Sequence, residues 1–172
     1  MKKLLFGSLL FAAVGFGFAS CSDDDNDNEK PVISDFEPAE GDSLQIGKAV
    51  HLEVDLSDNE KLASYKIDIH NNFDNHGDHS ASLKVMASDS VAFAYSNVFT
   101  DVAGQKNAHV HHHSINIPAA DANGKPYKTG KYHFVIYCLD EAGNESVRSH
   151  NVILTYKEVS EHEEDDHDHE AE

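Results

Sequence analysis

The sequence predicts an all-β fold, an immunoglobulin-like antiparallel β-sandwich of about seven strands between two acidic, disordered tails. Three observations predict it. Apolar residues recur with a period of two, as in 49–57, where Val50, Leu52, Val54 and Leu56 alternate with His51, Glu53 and Asp55. Turn signals punctuate the chain at short intervals, among them Asp58-Asn59-Glu60, 121–126 and 141–144. No stretch after residue 20 carries the 3.6-residue period of a helix.

The strands follow in order. Residues 31–38 form a short first strand bounded by Pro31 and Pro38, which suits an edge because proline cannot donate to a ladder. Residues 49–57 are half-buried by their alternation, with His51 outward and solvated. In 62–70, Tyr65, Ile67 and Ile69 point inward and Lys66, Asp68 and His70 outward. Residues 71–80 are polar and form a loop, and 83–86 and 91–99 are weaker strands. Residues 108–118 carry four imidazoles, and Ile115 and Ile117 mark them as strand. In 130–140, Tyr132, Phe134, Ile136 and Cys138 share one face, and 147–156 closes the domain. Gly143 and Asn144 suit the hairpin turn because both tolerate a positive φ.

The ends read differently. Lys2 and Lys3 precede an apolar run over 4–18, too short for a comfortable membrane span, so residues 1–20 are a cleaved signal peptide. Ala19-Ser20-Cys21 resembles the lipobox of bacterial lipoproteins, which implies acylation of Cys21 and a lipid anchor in the membrane. Phe18 departs from the usual aliphatic residue there. Residues 21–29 form an acidic tether similar to the signal that carries such lipoproteins to the outside of the outer membrane. The run lacks the glycine and spacing of an EF-hand loop. Residues 30–157 are the sandwich, and 158–172 are an acidic, histidine-containing tail able to hold cations weakly.

Of 31 acidic residues, fourteen lie in 22–29 and 158–172, so the net charge of −18 belongs largely to the tails. A negative surface argues against nucleic acid and suits cations. With Cys21 acylated, Cys138 has no disulfide partner, and its inward parity makes it a buried small hydrophobe.

Thirteen histidines carry the functional signal. His70 ends one strand on its outward side and His133 stands outward near the start of another. In immunoglobulin topology those strands are antiparallel neighbours, so the two imidazoles share an exposed face. His76, His79 and Asp74 leave from the same end, and His113 is the member of the histidine strand best placed to join them. His109 and His111 are secondary candidates. Counting back from Ile115 gives His109, His111 and His113 core-side parity, which is costly for imidazoles. Either the strand start overhangs the sandwich, or a bulge before Ile115 reverses the parity.

Ser57-Asp-Asn-Glu60, 69–76, Lys106-Asn107 before the histidines, 115–118, 132–134 and Asp140-Glu-Ala-Gly-Asn144 together resemble a family of small Bacteroidetes lipoproteins, domain of unknown function 4625. The resemblance covers about residues 31–156 and implies an immunoglobulin-like lipoprotein domain, with no activity attached.

Imidazole and carboxylate ligands without thiolate suit a divalent transition metal, zinc first, with copper, nickel or iron as alternatives. The spacing is no finger or metalloprotease signature, and a solvated histidine-rich edge strand is the bland alternative. A metal-free module binding an extracellular protein or glycan through its loops is the other functional class. No Gly-x-Ser-x-Gly, phosphate loop or His-Glu-x-x-His is present, so an enzyme is not expected, with hydrolysis at an open metal position the one enzymatic route.

Overall fold

The computed structural model describes residues 27–73 and 89–159. They form eight strands: β1 (Val32–Glu37), β2 (Ser43–Gln45), β3 (Ala49–Ser57), β4 (Leu62–Asn71), β5 (Tyr95–Phe99), β6 (Asn107–Asn116), β7 (Gly130–Asp140) and β8 (Glu145–Thr155). One sheet has the order β1-β3-β6 and the other β2-β8-β7-β4-β5. This is an immunoglobulin-like sandwich. The core lies between the sheets. The inward residues of β3 (Val50, Leu52, Val54, Leu56) meet those of β4 (Tyr65, Ile67, Ile69) and β7 (Tyr132, Phe134, Ile136, Cys138), all nearly inaccessible to solvent.

Two details differ from the expected seven antiparallel strands. β2 is an additional strand, and it pairs in parallel with β8, Ser43 opposite Ile153 through Gln45 opposite Thr155. Three residues are too few to show a period. The expected strand over 91–99 is shorter, because Val91 makes only an isolated bridge to Tyr127 and regular pairing starts at Tyr95. The expected strand over 83–86 lies outside the described residues, as do the signal peptide, Cys21 and the tail from residue 160.

Three polar devices fix the ends of the strands. Tyr132, wholly buried at the start of β7, donates to the Lys128 carbonyl at 2.7 Å and accepts from the Phe93 amide at 3.2 Å. A tyrosine bonding back four residues at this corner is a hallmark of immunoglobulin sandwiches. The Asp140 carboxylate, 2% exposed, accepts from the amides of Gly143 and Asn144 at 2.6 and 2.7 Å and from the Asn144 side chain at 2.8 Å, closing the β7–β8 turn. Gly143 there has a φ of 97°, which a Cβ would disfavour. Asn72, also buried, donates its side-chain amide to Asn151 at 2.8 Å across the end of the five-stranded sheet. Cys138 is free and buried, and burial pushes its thiol up to about 12, so it packs as a hydrophobe.

The tether does not stay wholly in solvent. The Asn144 side chain donates to the Asp27 carbonyl at 3.1 Å, and the Asn59 side chain to the Asp27 carboxylate at 3.0 Å. The last residues of the expected 21–29 tether therefore lie on the domain.

Candidate metal centre

The outer face of the three-stranded sheet is built by β3 and β6. Their register sets Asp55 opposite His109, Glu53 opposite His111, and Leu52 opposite His112, then shifts so that Val50 meets Ile115. One residue of β3, His51, thus faces two of β6, His113 and Ser114. That is a bulge, and it reverses the side-chain parity. Val110 is buried before it and Ile115 after it, while His109, His111 and His113 all face solvent. The bulge is one of the two solutions the sequence demanded; an overhanging strand start is not needed, because β6 pairs with β3 from Asn107 onward.

The bulge gathers three imidazoles. His51 Nδ1 lies 2.9 Å from His113 Nε2, and one ring nitrogen from each of His51, His111 and His113 lies within 4.8 Å of the others. Ring centroids are 4.9 Å apart for His51–His111, 5.0 Å for His51–His113 and 5.5 Å for His111–His113. Behind them stand carboxylates. His51 Nε2 is 3.4 Å from Glu53 and 3.9 Å from Glu37. A carboxylate on the distal nitrogen orients a ligating imidazole and raises its basicity. Glu37 and Glu53 are themselves direct cross-strand partners, an arrangement of like charges that a nearby cation relieves. His51 faces outward as expected, but its ring is also engaged by His113 and by these carboxylates. The parity of 49–57 places it outward, but nothing local says that the histidine strand is its neighbour.

The other candidates fall elsewhere. His113 does not join His70, because β6 and β4 belong to different sheets. His109 turns to acids, with Nδ1 2.7 Å from Asp55 and Nε2 3.8 Å from Glu53. His70 and His133 are direct partners across β4 and β7 on the outer face of the five-stranded sheet. His133 Nδ1 is 3.3 Å from His70 Nε2, and His70 Nδ1 is 2.6 Å from Asp68. They offer two imidazoles. Asp74, His76 and His79 lie outside the described residues.

Two histidines of β6 titrate in opposite directions. The hydrogen bond that its ring donates to the Asp55 carboxylate holds the exposed His109 above the ordinary histidine range. Burial holds His112 below it. The Ser114 amide donates to His112 Nδ1 at 3.3 Å, so the ring proton sits on Nε2, which donates to the Tyr65 hydroxyl at 3.2 Å. For His112 the native state binds fewer protons than the unfolded chain, so its contribution to stability is lost as pH falls below about 6.5 towards its lowered folded value. For His109 the contribution is present below about 6.5 and lost as pH rises through its raised folded value, and solvent keeps it small. In a ring-resolved NMR titration, His109 is expected to keep its proton to higher pH than His112; coincident or reversed midpoints contradict these environments.

Fold and site together define an immunoglobulin-like β-sandwich domain that presents an imidazole cluster on its three-stranded sheet. The chain belongs to the family described as domain of unknown function DUF4625, whose model matches residues 19–155. No curated protein matches it.

Proposed function

We propose that this protein is a metal-binding lipoprotein, anchored through Cys21 in the outer membrane and holding a divalent transition metal at His51, His111 and His113 outside the cell. The observation that carries the reading is the convergence of three imidazole nitrogens from two paired strands, with Glu53 behind His51. Tetrahedral ligands about 2.0–2.1 Å from zinc stand roughly 3.3–3.4 Å apart, so a small opening of the 2.9 Å pair, with the His111 ring drawn in from within 4.8 Å, seats the ion. Three nitrogens leave a fourth position for water or a carboxylate. Neutral imidazole is the ligand form, so protons compete with the metal. Zinc comes first, with copper, nickel and iron as competitors for the same donors. The outward face and open fourth position suit capture and hand-over of metal better than burial of a structural ion.

The test is the metal content of protein extracted from membranes of producing cells. The wild-type chain is expected to extract with detergent and to retain one zinc per chain after dialysis. A Cys21→Ala chain should leave the membrane fraction, and a His111→Ala/His113→Ala chain should remain there without that zinc. Membrane retention of Cys21→Ala at the mature mass contradicts the anchor, and equal zinc in the double variant contradicts the site.

A further inference from the structure

The five-stranded sheet carries a second pair of imidazoles on its own outer face. β4 and β7 set His70 directly opposite His133, in a ladder that runs without a shift from Ser64 opposite Leu139 to Asn71 opposite Tyr132. His70 Nε2 and His133 Nδ1 stand 3.3 Å apart, with the two rings at 89°. That is long for a hydrogen bond donated by nitrogen, about 2.7–3.2 Å. It matches the roughly 3.3–3.4 Å between two ligands of a tetrahedral zinc ion. The other nitrogen of His70 is committed, because Nδ1 lies 2.6 Å from Asp68 Oδ1. The neutral ring keeps its proton there, which leaves the lone pair on Nε2, the nitrogen facing His133. Lys66 stands 3.7 Å from the second Asp68 oxygen, so the carboxylate is held from both sides.

We infer that His70 Nε2 and His133 Nδ1 form a second seat for a divalent transition metal. Imidazole donors select zinc, copper or nickel over calcium and magnesium. The ion takes the place that a proton holds between the two rings, and neutral His133 then carries its proton on Nε2. Asp68 does for His70 what Glu53 does for His51: a carboxylate on the far nitrogen orients the ring and raises its basicity. Both ligands stand on inner strands of the sheet, so their separation is set before the ion arrives. The strands supply two nitrogens here and three at the imidazole cluster, which makes this the weaker, more exchangeable seat. The two seats lie on opposite outer faces of the sandwich but at the same end of it. The turn over 58–61 joins the end of β3 to the start of β4, so β4 finishes where β3 begins. This seat is independent of the reading of His51, His111 and His113.

The experiment carries a zinc chloride titration of the chelator-stripped full chain past the first equivalent, read by ring-resolved histidine NMR and by calorimetry. The rings of His70 and His133 are expected to shift together, after those of the imidazole cluster and ahead of the histidines of the acidic tail. His70→Ala/His133→Ala should bind one zinc fewer, and its metal-free melting point verifies that it folds. His51→Ala should keep the joint response of His70 and His133, so the two seats fail separately. Asp68→Asn should weaken zinc at this pair about 10- to 100-fold, the usual cost of removing such a carboxylate. Wild-type rings of His70 and His133 that stay unmoved, or move only with or after the tail, overturn the seat. An undiminished zinc count in the double variant overturns it as well, and wild-type affinity in Asp68→Asn overturns the role given to Asp68.

Discussion

His51→Ala is expected to erase the stabilisation that zinc gives this domain while leaving the metal-free stability almost unchanged. His51 is the member of the imidazole cluster contributed by β3, and its Nδ1 faces His113 Nε2 at 2.9 Å. Without it two adjacent histidines of an edge strand remain, with the Glu53 and Glu37 carboxylates no longer behind a ligand. A ligand that binds only the folded state adds about 2.7 kcal/mol at a hundredfold excess over Kd. That is a shift of roughly 10 °C or more, since about 1 kcal/mol moves a small domain by about 4–8 °C. The variant should lose nearly all of it. Its side chain is 36% exposed on the outer face of the sheet, so the metal-free melting point should move little, as for surface substitutions of about 0.5 kcal/mol or less. His109→Ala is the control. Its ring is engaged by Asp55, and its removal should leave most of the zinc-induced shift in place. Differential scanning fluorimetry with and without zinc on the three chains reads both quantities. Equal zinc shifts in wild type and His51→Ala would contradict the site.

Phe134→Ala is expected to have the largest effect on the fold. Phe134 is wholly buried in β7, a central strand of the five-stranded sheet, and its ring centroid lies 5.7 Å from that of Phe36 in β1 of the opposing sheet. Phe36 in turn stacks on His150 at 4.6 Å, whose Nδ1 donates to the Pro38 carbonyl. Truncation removes the aromatic contact between the first strand and the sheet beneath it, which works beside the Arg148 bond to the Ile33 carbonyl, and leaves a cavity. Such losses cost about 3–5 kcal/mol, a large part of the about 5–15 kcal/mol typical of a domain. Urea denaturation should show the midpoint falling with little change in slope. A loss below about 1 kcal/mol would mean that β1 is not held through this pair.

Much of this was legible in the chain because the relevant patterns are local. The alternation of Val50 to Leu56, and of Tyr132 to Cys138, reports burial directly, since a strand with one face on a core must alternate. The shared outer face of His70 and His133 also follows from topology plus parity, while their direct pairing does not. The imidazole cluster was less legible for two physical reasons. Its members are brought together by a ladder between residues 62 positions apart, and strand pairing at that range leaves no trace in either strand's own period. The bulge at His113 also adds one residue to β6, so counting back from Ile115 puts every histidine on the wrong face. The conflict itself was the signal, because three core-side imidazoles with no partners is an arrangement that a folded chain avoids.

The most direct measurement of the central claim is ring-resolved histidine NMR of the full chain during addition of the first equivalent of zinc. The rings of His51, His111 and His113 should change together and saturate at one zinc per chain, before His70 and His133 and before the histidines of the acidic tail respond. First and stoichiometric changes at His70 and His133, or in the tail, with His51 unmoved, would contradict the account.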